Sequence, residues 1–114
     1  MKVKITKNYK EMSVESAKIM AKEIKKNPRL VMALPTGGTP EGTYNELVNM
    51  NKTETIDFSQ AISFNVDEYV RLKPDNDQSY YYFMNEFLYK HVNIKKENTY
   101  VPNVLLDDLQ EACD

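Results

Sequence analysis

The chain has 114 residues, 15 of them basic and 17 acidic, a formal charge of −2 and a single cysteine, with 41% hydrophobic and 28% charged residues. These values describe one ordinary globular domain and exclude three classes: no single-sign field draws nucleic acid, no apolar run is long enough to span a membrane, and Cys113 has no partner for an internal disulfide or a zinc site. With no signal-peptide pattern, the expected compartment is the cytosol.

Alternation in Val3-Lys4-Ile5 predicts a short strand near a sheet edge. From Tyr9 to Lys26, apolar residues at Val14, Ala17, Met20, Ala21 and Ile24 follow helical spacing, with charges on the other face, and Asn27-Pro28 ends the helix. Residues 29–34 are nearly continuously apolar, as in a parallel strand covered on both faces. The turn Pro35-Thr36-Gly37-Gly38-Thr39-Pro40 follows. Thr39 is suited to cap a helix and Pro40 to open it. That helix is predicted over 40–50, burying Tyr44, Leu47 and Val48, and a polar connection over 49–60 leads to a strand at 61–65. A loop over 71–77, marked by Pro74 and two aspartates, precedes an aromatic helix over 78–92. Residues 98–101 predict a further strand. Alternating strands and helices predict a doubly wound parallel α/β sheet. The acidic stretch 107–114 reads as a helix only starting, which predicts a truncated chain or a fragment. An exposed sheet edge and uncovered apolar faces in such a chain favour self-association, as a homo-oligomer, or poor solubility.

Two segments carry chemistry. If Thr39 caps the second helix, free backbone N–H groups point back over Gly37 and Gly38, and the helix dipole adds positive potential, so a phosphate monoester fits there. The Walker pattern needs a lysine after the glycines and the dinucleotide fingerprint a third glycine; neither is present. Thr-Gly-Gly-Thr is equally compatible with a tight, well-capped turn. In Phe64-Asn65-Val66-Asp67-Glu68-Tyr69, two carboxylates follow the end of a strand, on the edge where open α/β sheets bind ligands. Adjacent side chains diverge, so Asp67 and Glu68 need separate roles. Asp67 is the candidate base for proton removal beside a sugar carbonyl, a task favoured by a desolvated crevice; a loop acid that caps a turn is the alternative. In Ser79-Tyr80-Tyr81-Tyr82-Phe83 the aromatics cannot all share one helix face, and Tyr80, at the helix start, is best placed to approach a sugar. His91, in the last turn, suits interaction with the helix C-terminus.

Leu-Pro-Thr-Gly-Gly-Thr-Pro, Phe-Asn-Val-Asp-Glu-Tyr, Gln-Ser-Tyr-Tyr-Tyr-Phe-Met and Asn98-Thr99-Tyr100-Val101-Pro102 together resemble the glucosamine-6-phosphate deaminase family, in the same order and with similar spacing. The resemblance runs the length of the chain. It implies a Rossmann-like sugar-phosphate isomerase fold, with residues 1–114 as the N-terminal part of one isomerase/deaminase domain. It also implies a cofactor-free enzyme that converts the small amino-sugar phosphate glucosamine 6-phosphate and water to fructose 6-phosphate and ammonia. Carried over by motif, Asp67 moves the C2 proton to C1, and Thr36, Gly37, Gly38 and Thr39 hold the phosphate. Glu68 and Tyr69 shape the crevice and Tyr80 lines it. Arg71 stands where the family often has glycine and Val66 where methionine is common. The family's Gly-Asp-Gly-His segment, which serves ring opening, is absent, so the chain alone is expected to be a poor catalyst. A related isomerase, a lactonase or a non-catalytic sugar-phosphate sensor is the alternative on the same fold.

Overall fold

Parallel pairing organises the protein, seen in a computed structural model that describes residues 3–65, 67 and 76–101. Strand β1 (Val31–Leu34) pairs with β2 (Ile62–Asn65), and β2 with β3 (Thr99–Tyr100), both in parallel, in the spatial order β1-β2-β3. Helices α1 (Tyr9–Lys26), α2 (Gly38–Lys52) and α3 (Tyr80–Phe87) alternate with the strands. Parallel neighbours need crossover connections, and α2 and α3 lie within them. The parallel α/β class expected from the alternation is the observed one.

Helix α1 has the predicted bounds. The Asn8 side chain accepts from the Glu11 N–H, and Lys25 and Lys26 occupy the last turn, where cations suit the dipole. Ala17, Ala21 and Ile24 bury as the spacing requires, joined by Ser13. Small residues let α2 approach closely. Gly42 lies against Ser13 and Tyr9, and a Cβ at this glycine would collide with the Ser13 side chain.

One core cluster joins Ala17, Ala21 and Ile24 of α1, Met32 and Leu34 of β1, Tyr44, Leu47 and Val48 of α2, and Met84 of α3 with Leu88. The strands feed it by alternation: Met32, Leu34, Ser63 and Asn65 are buried, whereas Val31, Ala33 and Phe64 are exposed. Continuous apolarity in β1 had predicted cover on both faces. Among the described residues, one face is covered.

Three local expectations differ from the structure. Residues 3–5 form no strand; Val3 and Ile5 are 75% and 91% exposed, and an alternation of three residues has nothing to pair with among the described residues. Lys4 instead reaches Glu15 of α1. Helix α2 starts at Gly38, two residues before the predicted start, with Gly37 as its N-cap and no side-chain cap bond. Thr39 therefore does not cap, and Pro40 is the third helical residue, where a missing N–H costs nothing because that donor has no intrahelical acceptor. Helix α3 is shorter than predicted. Capped by Ser79, whose oxygen accepts from the Tyr82 N–H, it ends at Phe87, and a separate turn of 3₁₀ helix follows at Tyr89–His91. The break at Leu88, φ −136°, lets buried Leu88 and Tyr89 turn into the core. His91 closes the segment with a ring nitrogen 2.8 Å from the Glu86 carbonyl, as expected of a histidine at a helix C-terminus. Cys113 lies outside the described residues.

Candidate active site

The C-terminal ends of β1 and β2 lie side by side, because Leu34 and Asn65 are register partners. Two residues beyond Leu34 comes Thr36; two beyond Asn65 comes Asp67. Adjacent strands are about 4.8 Å apart, so the glycine turn and the carboxylate leave one edge of the sheet as neighbours. This is the edge at which parallel sheets seat ligands.

The turn is built to present donors. Gly37 takes φ +108° and ψ −177°, a backbone region open essentially to glycine alone. Among the described residues, apart from chain neighbours and the helix's own backbone, none has an atom within 4 Å of where a Cβ on Gly37 or Gly38 would stand, so these residues leave the approach to the backbone open. Helix geometry leaves the N–H groups of Gly37, Gly38 and Thr39 without intrahelical acceptors, and Pro40 contributes none. Three consecutive donors at the positive end of a 15-residue helix make an anion seat.

Side chains from three elements brace this turn. The Tyr44 hydroxyl donates to the Pro35 carbonyl, and burial raises the Tyr44 pKa far above the usual tyrosine value, with Tyr89 adding to it. Tyr44 is therefore a neutral donor. The Asn65 amide donates to the Leu34 carbonyl at 2.8 Å. From α1, the Tyr9 hydroxyl donates to the Gly38 carbonyl at 2.7 Å and accepts from the Gly42 N–H at 2.8 Å, bridging the first turn of α2. An apolar groove of about 370 Å³ beside the turn is lined by Met12, Met20, Leu34, Pro35, Thr39 and Tyr44 among others; its lining suits carbon rather than phosphate.

Of the residues expected at a site, Thr36 is half-buried and Gly37, Gly38 and Thr39 are exposed in one continuous turn. Asp67 is exposed, so the desolvation invoked for a base is not supplied by the described residues. Glu68 and Tyr69 lie outside them. Tyr80 is the half-buried first residue of α3. On the same helix, Tyr81 and Tyr82 line an open cavity of about 680 Å³ with Asn85, Tyr89, Ile94, Lys96 and Thr99. The bracing residues Tyr9, Tyr44 and Asn65 were not singled out as site residues. For Asn65 a signal existed: Ser63 and Asn65 are polar at alternate positions of an otherwise apolar strand, and so share one face.

A parallel sheet with a donor-rich turn after one strand and a carboxylate after the next defines an α/β protein of the class whose ligands bind at the C-terminal edge of the sheet. Residues 6–114 match the family model described as Glucosamine-6-phosphate isomerases/6-phosphogluconolactonase, and the chain belongs to that family. It is 53% identical over 113 residues to a glucosamine-6-phosphate deaminase of Clostridium perfringens, covering 99% of this chain and 47% of the relative. A second, from Thermoanaerobacter sp. strain X514, is 52% identical over 113 residues, covering 99% and 45%. The solved structure of a monomeric glucosamine-6-phosphate deaminase superposes with a TM-score of 0.95 at 40% identity, over 99% of this chain and 47% of that one. A 6-phosphogluconolactonase from Thermotoga maritima shares the fold, with a TM-score of 0.76 at 24% identity over 96% and 48%. The chain spans about half the length of the curated relatives it matches. No helix among the described residues is long and apolar enough to cross a membrane.

Proposed function

We propose that residues 1–114 supply the phosphate seat and the general base of a cytosolic glucosamine-6-phosphate deaminase, as the N-terminal part of its single domain. The substrate is a ring-opened amino-sugar phosphate. Its phosphate sits on the Gly37, Gly38 and Thr39 N–H groups, with Thr36 beside them. Asp67 removes the proton from C2 as the C1 aldehyde oxygen takes one up, giving an enolamine. Asp67 then delivers its proton to C1 while the nitrogen lone pair forms a double bond to C2 and the amino group gives up a proton, and water adds to C2, expels ammonia and leaves the ketose. Glu68, Tyr69 and Tyr80 shape the crevice. The helix dipole contributes about 0.3–1 kcal/mol to holding the phosphate, so tight binding also needs cationic side chains. The observation that carries this reading is the register of Leu34 with Asn65, which starts the anion seat and the Asp67 segment from adjacent strand ends. The likeness to named deaminases supports it.

The test uses a chimera in which residues 1–114 replace the matching segment of the Clostridium perfringens relative. It is expected to release ammonia from glucosamine 6-phosphate, and Asp67→Asn to slow turnover by about 10²–10⁴-fold, the usual share of a general base. Normal turnover in the variant would remove Asp67 from that role. Lactone hydrolysis without deamination would favour the lactonase reading.

A further inference from the structure

We propose that Asn65 is the positioning residue that fixes the anion seat relative to the Asp67 segment, with Tyr89 and Ser63 holding its amide in place. The proposal rests on the functional reading above. Asn65 is the last residue of β2 and is 6% exposed. Its Nδ2 donates to the Leu34 carbonyl at 2.8 Å, and its Oδ1 accepts from the Tyr89 hydroxyl at 3.1 Å. Ser63, fully buried, stands 2.7 Å from the same hydroxyl. Because Oδ1 can only accept, the Tyr89 proton is committed to Asn65, and Ser63 must donate to Tyr89. Reversing the amide would set two oxygens against each other at Leu34, so the chain of bonds allows one orientation.

The place of this network in the fold gives it its role. Leu34 ends β1, and Pro35, with no N–H, stops the ladder there. An Asn65 side-chain bond replaces the next rung, holding the last carbonyl before the turn. The following carbonyl, of Pro35, is held by Tyr44. One residue of β2 thus grips the root of the anion seat and lies two positions before the carboxylate. Tyr89 reaches Asn65 because α3 ends at Phe87 and the chain turns inward. At the equivalent buried positions of β1 stand Met32 and Leu34, so packing alone does not call for Ser63 and Asn65. A buried polar network with every member bonded specifies one geometry.

The experiment uses ¹⁵N-labelled 114-residue chain, Asn65→Leu, Tyr89→Phe, and Ile24→Val as a core control remote from the network. Without ligand, backbone order parameters of residues 36–39 and 67 are expected near 0.85 in the parent and below about 0.6 in Asn65→Leu. Tyr89→Phe should fall between them and Ile24→Val should match the parent. In titrations with glucosamine 6-phosphate, read on the Gly38 and Thr39 amides, Asn65→Leu is expected to bind about tenfold more weakly and Tyr89→Phe about threefold, as for loss of a buried hydrogen bond. Unchanged order parameters in both network variants, or the same losses in Ile24→Val, would overturn the positioning role. Absence of ammonia release from the chimera would overturn the functional reading, while the ligand-free comparison on the 114-residue chain still judges the Asn65 clasp.

Discussion

Glu54 takes φ +59°, the single non-glycine positive φ among the described residues, because it closes α2. The Thr55 N–H bonds the Met50 carbonyl at 2.8 Å and the Glu54 N–H bonds that of Asn51 at 3.0 Å, the paired bonds of a Schellman ending with Glu54 at the left-handed position. Glycine is the residue suited to that position, and a side chain there costs about 1–2 kcal/mol. Glu54→Gly is therefore expected to raise stability by about 0.5–1 kcal/mol, after its extra unfolded-state entropy is counted, with the gain read from urea unfolding. At the same scale, residue type announced the strand-to-helix glycine turn but misplaced its cap. Threonine is a good cap in general, yet Gly37 has the backbone that the strand-to-helix turn demands, so the helix begins one residue later than Gly37 and Thr39 falls inside it.

Between elements, close approach decides stability. A Cβ on Gly42 would lie 2.9 Å from Ser13 Cβ and 3.0 Å from a Tyr9 ring carbon, besides overlapping Ser13 Oγ. A hydroxyl can rotate, but a Cβ cannot, so α1 and α2 must separate. Gly42→Ala is expected to cost about 1–3 kcal/mol, as overpacking does, and Ser13→Gly in that background to recover part of it in thermal melts. The segment between α2 and β2 is tied differently. Asn93 accepts from Asn51 at 2.8 Å and from the Phe58 N–H at 2.9 Å, and donates to Asp57 at 2.6 Å. The Ser59 backbone N–H, then Asn93, then the Ser59 hydroxyl hold the Asp57 carboxyl below its ordinary value. Its folded pKa is thus the lower one, and its stabilising effect is present above the unfolded value of about 3.9 and lost as pH falls through the folded value. Asp57→Asn is expected to lower the melting temperature at pH 7 and flatten its fall below about pH 4, where parent and variant converge. The Asn93 ties were not legible in sequence, because Asn93 meets its partners 35, 36 and 42 residues away.

At the scale of the whole molecule, the sheet has, among the described residues, a covered face and an open one. Val31, Phe64 and Tyr100 are 59%, 43% and 48% exposed, and the Phe64 and Tyr100 rings stack at 4.8 Å on that open side. β1 is also an edge among the described residues, so its apolar strand lacks an outer partner. Such surfaces favour association. Sedimentation velocity on the 114-residue chain is expected to show mass rising with concentration, and Phe64→Lys to weaken that association by roughly tenfold, the effect of removing an aromatic anchor. A parent that stays monomeric throughout would show that the open face does not drive association.

Local pattern was enough for the class, the order of elements after the first strand, the bounds of α1 and the sheet edge to which the glycine turn and the Asp67 segment run. Each of these is written in local periodicity, glycine and proline placement and short motifs. Tertiary structure decided where α2 begins, where α3 breaks, and which polar residues brace the turn. Those outcomes depend on the register of Leu34 with Asn65 and on a tyrosine 24 residues further along the chain reaching the same buried amide; spacing along a chain does not encode distances across a sheet.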